Sequence, residues 1–473
     1  MNMPNDLRTA LADAVGAEQV FEGEAIDLRY HSDLRGQPLP RPAFVVRPGS
    51  TGEVAAVLKA AARFHTPVTT QGGRTGVVGG ADAGADAIVL SLERMNRILE
   101  IDPASMTMTV EAGCVLQAAH EAAEAEGMIL PLDLGARGTA TVGGNISTNA
   151  GGVRVLRWGM MRDMVLGVEA VLADGTVLPG LRKTIKDNAG YDWKHLLIGS
   201  EGTLGVVTKA VLRLRPAPRS TSTALLSLAH FDDAVRLLRR LEGDMGGTLS
   251  TFELMWDDFY ELITTANADK RPAPLPVGSS LYALVEVLGA DPDNDPVRFE
   301  QVLASVIADG LATDAVIAQS GADRERLWAV REDLNEAFAN LWPLFAFDVS
   351  VAVSDMAAFV ADAKASVLSR FPDARLITYG HIGDGNLHLM VGTGHADHDT
   401  HHAVDVAVFE AVQRFGGSIS AEHGIGSAKR NYIGYSRAPS ELALMKAIKS
   451  AIDPDNILNP GKIFPDQPEK PHG

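Results

Sequence analysis

The chain has 473 residues, with 60 Asp or Glu against 42 Lys or Arg and a formal net charge of −18. That balance offers nothing to neutralise a phosphate backbone and excludes nucleic-acid binding as the main role, while the length is enough for two or three domains. The one cysteine, Cys114, excludes disulfides, a thiolate zinc site and an iron–sulfur cluster within the chain, so electrons that leave the protein must leave from an organic cofactor.

Residues 1–39 read as an N-terminal helical segment. Its opening is amphipathic and acidic without the apolar core of a secretion signal. No run approaches the roughly 18 apolar residues of a membrane span, so a cytoplasmic location is expected. Residues 40–218 read as one domain of short strands, helices and glycine loops. Phe44-Val45-Val46 is a strand, Ser50-Thr51-Gly52-Glu53 a capping box opening a helix to about Phe64, and Pro67 to Thr70 a second strand. Ile88 to Leu92 is a buried strand, a hairpin turns around Asp102-Pro103, and a helix from Leu116 ends at Gly127. The run Arg215-Pro216-Ala217-Pro218-Arg219 marks a domain boundary. From 219 to 430, strands alternate with helices near 234–241, 297–308, 324–340 and 356–371, an α+β pattern with a substantial sheet. Residues 431–473 form a tail rich in turn formers around Asp453 to Lys462.

Three glycine-rich segments share the first large domain. Gly72, Gly73, Arg74, Thr75, Gly76, Gly79 and Gly80 follow a strand, and their backbone N–H groups suit a pyrophosphate. The spacing is neither GxGxxG nor GxxxxGK[ST], so Rossmann and P-loop binding are unsupported. Pro131, Asp133 and Gly135 lead to Thr141, Gly143, Gly144, Ser147, Thr148, Asn149 and Gly151, where few side chains could fill a core. The third segment holds Glu201, Gly202, Gly205 and Val206. Each alone is either a surface loop or backbone laid against a ligand; three in one domain favour a large flat cofactor.

The C-terminal half carries a histidine constellation. His381 and His388 flank the turn Ile382-Gly383-Asp384-Gly385-Asn386. On one straight strand, positions seven apart face opposite sides; a glycine turn can fold the strand and bring both imidazoles together as ligands for a zinc-like divalent ion. Histidines hydrogen-bonded within a tight turn are the alternative. In Ala421-Glu422-His423-Gly424, Glu422 suits a third ligand and His423 a base directed at a substrate hydroxyl. His395, His398, His401 and His402 read as a solvated loop and helix start. Arg331 is either half of a surface salt bridge or a carboxylate grip.

Order, spacing and identity of these motifs, from about residue 40 to Lys462, resemble the FAD-linked D-2-hydroxy-acid dehydrogenases of the vanillyl-alcohol oxidase family: D-lactate, glycolate and D-2-hydroxyglutarate dehydrogenases. The resemblance implies an α+β protein with that family's FAD-binding domain, a ferredoxin-like α+β cap domain and a C-terminal segment returning to the flavin through Asn459. It implies the pyrophosphate on residues 72–80, with 131–152 and 198–206 along the rest of the FAD. It also implies His381, His388 and Glu422 on a divalent metal, zinc by preference, with His423 as base and Arg331 on the substrate carboxylate. The implied reaction takes a D-2-hydroxy acid to its 2-oxo acid. The electron acceptor would be a separate one, such as an electron-transferring flavoprotein or a quinone, and the assembly a homodimer. The loop 72–80 has no His or Cys, so FAD is expected to be non-covalent.

Three departures bear on substrate. Where the 2-hydroxyglutarate branch has a threonine, a lysine and an asparagine, this chain has Asn335, Ala346 and Met390. A second substrate carboxylate would lack compensation, which favours a monocarboxylate such as D-lactate. D-2-hydroxyglutarate, glycolate and an oxygen-using oxidase are the alternatives; a non-catalytic flavin subunit and a zinc hydrolase are rivals from other classes.

Overall fold

The computed structural model describes residues 3–465 apart from 33, 35, 340 and 396. The chain divides into two compact units: Met1–Gly152, Gly159–Ala217 and Glu422–Gly473 form one, and Val153–Trp158 with Pro218–Ala421 form the other.

In the first unit, β1 (Val20–Phe21), β2 (Phe44–Val46), β3 (Val68–Gln71) and β4 (Ile88–Ser91) make a sheet of order β1-β2-β4-β3. β2 and β3 both run parallel to β4, a pairing that requires a crossover. The Thr51–Arg63 helix supplies one. The N-cap half of its capping box forms, with Ser50 Oγ accepting from Glu53 N at 3.2 Å, while the Glu53 carboxylate reaches one residue further back and accepts from Gly49 N at 2.8 Å rather than from Ser50 N. Val54, Val57, Leu58 and Ala61 fall on one face and are fully buried. A five-stranded antiparallel sheet of order β5-β6-β10-β8-β9 follows, from Ile98–Asp102 (β5), Thr107–Glu111 (β6), Val165–Val171 (β8), Val177–Gly180 (β9) and Val206–Arg213 (β10). A short ribbon pairs Met128–Ile129 (β7) with Arg215–Pro216 (β11).

The tail belongs to this unit. Val68 N donates to Ile457 O, and Asn459 N to Val68 O, both at 2.8 Å, so residues 457–459 dock on the edge of β3. The turn-rich sequence wraps around the buried Asp453, which accepts from Ile457 N (2.9 Å) and Leu458 N (2.8 Å) and pairs with the buried Lys449.

The second unit is a seven-stranded antiparallel sheet of β12 (Ser220–Leu228), β13 (Leu249–Trp256), β14 (Leu281–Gly289), β15 (Asp314–Ile317), β16 (Leu344–Ser350), β17 (Arg375–His381) and β18 (Asn386–Gly392). Its order is β15-β12-β14-β13-β17-β18-β16. The first four strands alone read fourth-first-third-second, with helices Phe231–Asp244 and Asp295–Ala308 as crossovers, which is the ferredoxin-like arrangement; the last three extend it. The core under helices Asp257–Ala266 and Gly321–Glu332 includes the stacked Tyr260 and Tyr282 rings, 3.6 Å apart, with Phe259, Trp328 and Tyr379. The single helix expected over 324–340 is two, Gly321–Glu332 and Leu334–Ala339, broken at Asp333, whose ψ of 66° leaves helical backbone and whose carboxylate pairs with Arg271.

Candidate functional site

In the first unit the three glycine segments wall one cavity of about 360 Å³. Gly72, Gly73, Arg74, Thr75, Gly76 and Gly80 come from the loop after β3; Gly135, Thr141, Gly143, Gly144, Ser147, Thr148 and Gly151 from the second segment; Glu201, Gly202, Gly205 and Val206 from the third. Glu422 and His423 line the same cavity. The walls are low because side chains are missing. Nothing stands within 4 Å of where a Cβ on Gly76 or Gly135 would sit, so any larger residue there would project into the space. Asn145, 5% exposed, also lines the cavity, and its Nδ2 has no hydrogen-bond partner among the described residues. A buried donor of that kind is costly unless a ligand completes it. A flat, polar-edged cofactor such as FAD fits both the low walls and the orphaned donor.

Five of the expected cofactor residues are not on this wall. Gly79 makes a left-handed turn (φ 74°) and Asn149 caps the Val142–Thr148 helix in αL backbone. Asp133 pairs with Arg137 at 2.9 Å, and Pro131 is buried. Asn459 acts from behind: its Nδ2 donates to Gly80 O (2.9 Å) and Glu201 O (2.7 Å), tying two glycine segments to the tail. Asn145, Leu134, Val77 and Val78 also line the cavity; they fall within the segments assigned to the cofactor but were not singled out, since they resemble ordinary helix or apolar positions.

Glu201 organises the approach to His423. Its carboxylate is buried and accepts from Ile425 N and Gly426 N, each at 2.7 Å. Burial pushes its carboxyl up from the ordinary range, against the opposing pull of those N–H donors. Gly426 is required by a close approach: a Cβ there would stand 2.1 Å from Val78 O.

In the second unit, β17 and β18 form the hairpin that the glycine turn suggested. Tyr379 pairs with His388 across it, which makes His381 a diagonal neighbour of His388 on the same face. Their rings lie 5.4 Å apart, edge to face, and both are buried. Asp348 on β16 pairs across from His388. Ala421 N donates to Asp348 O at 3.3 Å, and the next residue, Glu422, is counted in the first unit.

Arg331 is no surface ion pair. It is buried at the end of the Gly321–Glu332 helix, its Nε donating to Glu253 Oε2 at 2.7 Å and its guanidinium 4.4 Å over the Tyr379 ring. The other Glu253 oxygen, Oε1, lies 2.5 Å from His381 Nδ1. Burial alone would raise the Glu253 carboxyl; the charges of His381 and Arg331 outweigh it and hold it at about 2. No sequence signal marks Glu253, a lone acidic residue in a largely apolar strand. His398 is fully exposed at the start of its helix, as expected of a solvated cluster.

A family model described as "FAD binding domain" matches residues 42–179, and one described as "FAD linked oxidases, C-terminal domain" matches residues 217–463. The chain is 39% identical over 447 residues to a D-2-hydroxyglutarate dehydrogenase of Xanthomonas citri pv. viticola, covering 93% of each sequence. It is 39% identical over 422 residues to the mitochondrial D-2-hydroxyglutarate dehydrogenase of Bos taurus, covering 89% of this chain and 76% of that one. Among solved structures, an alkyldihydroxyacetonephosphate synthase superposes with a TM-score of 0.74 at 18% identity, over 96% of this chain and 84% of the other. The 4-ethylphenol oxidase of Gulosibacter chungangensis does so at 0.72 and 20%, over 98% of each. Those structures speak for the fold alone. Fold and glycine-walled cavity define a flavoprotein of the FAD-linked oxidase class. Within it, the chain belongs to the FAD-linked D-2-hydroxy-acid dehydrogenases of the vanillyl-alcohol oxidase family.

Proposed function

We propose that the protein binds FAD non-covalently and oxidises a D-2-hydroxy acid to the 2-oxo acid, with His423 as base and a divalent metal on His381, His388 and Glu422. The observation that carries this reading is that Glu422 and His423 open onto the same cavity as the three glycine segments. FAD supplies the acceptor for the hydride leaving C2, and the metal a Lewis acid for the substrate hydroxyl. The loop after β3 presents backbone N–H groups to the pyrophosphate, and Asn145 donates to a polar edge of the cofactor. His423 takes the hydroxyl proton. Arg331, oriented by Glu253, holds the substrate carboxylate. The paired imidazoles suit a borderline-soft cation such as zinc. A cytoplasmic homodimer passing electrons to a separate acceptor completes the reading.

For the substrate side chain, the names of the relatives support D-2-hydroxyglutarate. A second reading, a monocarboxylate such as D-lactate, rests on Ala346 and Met390. These face each other across β16 and β18, and neither brings a charge or an amide to that part of the sheet.

The test is anaerobic mixing of the FAD-loaded protein with a panel of D- and L-2-hydroxy acids, with and without chelator. The expected result is flavin bleaching by one D-acid, lost on chelation and restored by a divalent metal. His423→Gln should lower the reduction rate by roughly 10²–10⁴-fold with little effect on KM. Flavin that no acid reduces would remove the assigned reaction; bleaching unaffected by chelation would remove the metal.

A further inference from the structure

Two carboxylates stand on one face of the second unit's sheet. Glu286 on β14 is opposite Thr251 on β13, and Glu253 is two residues further along β13, so both side chains point to the same side. Both are buried. The Gly321–Glu332 helix meets them with Arg324, Trp328 and Arg331, spaced to fall on one helical face. Glu286 takes Arg324 through two bonds, at 2.7 and 2.9 Å, and Trp328 Nε1 at 3.0 Å. That fixes the helix. Glu253 then spends one oxygen on Arg331 and the other on His381. A buried carboxylate shared this way is weak evidence for stability, since packed apolar side chains commonly do as well.

We propose that Glu253 is a positioning residue that sets, from one buried carboxylate, both the coordinating nitrogen of His381 and the aim of Arg331. A negative charge 2.5 Å from Nδ1 favours the ring proton on that nitrogen and leaves Nε2 for the metal. Its hold on Nε directs the terminal nitrogens of the guanidinium fork at the substrate carboxylate. The inference deepens the reading above and rests on its metal and substrate roles for these two residues.

The experiment uses full-length, FAD-loaded protein stripped with chelator, and measures Co²⁺ uptake by equilibrium dialysis together with KM and kcat for the acid that bleaches the flavin. Glu253→Gln keeps the size and an acceptor oxygen but not the charge. It should weaken Co²⁺ binding by roughly 10–100-fold and raise KM, with FAD content and far-ultraviolet dichroism unchanged. Glu253→Asp, which keeps the charge, should recover part of both. Wild-type Co²⁺ affinity and KM in Glu253→Gln would overturn the proposal. So would loss of folding or of FAD in both variants while the folded fraction binds Co²⁺ normally, since that is a structural role alone. A wild-type protein that takes up no Co²⁺ fails differently: it overturns the metal reading and the His381 half, and the KM of Glu253→Gln then decides the Arg331 half.

Discussion

At the scale of single residues, the candidate site was legible where glycine accompanies it and hidden where it does not. His381, His388, Glu422 and His423 announce themselves because glycines bracket them, and glycine there marks backbone bent toward a purpose. Glu253 has no such flag. Between Phe252 and Leu254 it has the pattern of a strand with one solvent-facing residue, and only the sheet order shows that the face it points to is covered by a helix. Cys114 is the opposite case, a reactive residue type made inert. It is fully buried, and burial pushes its thiol from 9.0 up to about 11. The native thiol should therefore react with iodoacetamide at pH 8 on the order of a hundred-fold more slowly than the urea-unfolded chain; equal rates would place the sulfur at the surface. The unfolded thiol ionises near 9.0 and the folded one near 11, so stability is lost as pH rises between them. Cys114→Ala should lack that part of the alkaline decline in the urea midpoint.

At the scale of elements, helix starts and strand positions were readable from capping and periodicity, as at Ser50 and in β4. Pairing was readable only in hairpins, around Asp102-Pro103 and at the glycine turn between β17 and β18; long-range pairing was not, because its register depends on partners far along the chain. Ala346 and Met390 illustrate the difference. In sequence they are two separate departures from a branch of the family; in the sheet they are one cross-strand pair, two residues along from the pair Asp348–His388 on the same face. A lysine and an asparagine at those positions would bring a cation and an amide to the histidine-bearing face, and a charged group offsets the burial of a second carboxylate only by pairing with it. The double change Ala346→Lys and Met390→Asn should therefore shift the ratio of kcat/KM for D-2-hydroxyglutarate over D-lactate upward by at least about tenfold, the equivalent of one charge-assisted contact. An unchanged ratio would mean that this pair does not select the substrate side chain. The Asn335 side chain lies outside the described residues.

At the scale of the whole molecule, the first unit is assembled from three stretches of chain, and its cavity is held by bonds between all of them. Asn459 ties Gly80 to Glu201, the Glu201 carboxylate holds Ile425 and Gly426, and Lys462 Nζ donates to Asp82 O at 2.9 Å. Turn formers marked residues 431–473 as a tail and the resemblance implied its return through Asn459, but no periodicity could reveal that residue 459 closes a loop begun at residue 72. A ligand that orders one wall of such a cavity must order the others, because local opening of any wall breaks bonds shared with its neighbours. FAD binding should thus slow amide hydrogen exchange together in residues 72–80, 141–152, 198–206, 424–427 and 457–463. The central strands β12 and β14 of the second unit should exchange at the same rate with and without the cofactor. Exchange followed by mass spectrometry on the apo and FAD-loaded protein reads both. Protection limited to 72–80 and 141–152 would show that the tail is a passive cover. Joint protection that disappears from all five stretches in Asn459→Ala would identify that amide as the bond through which the walls act as one.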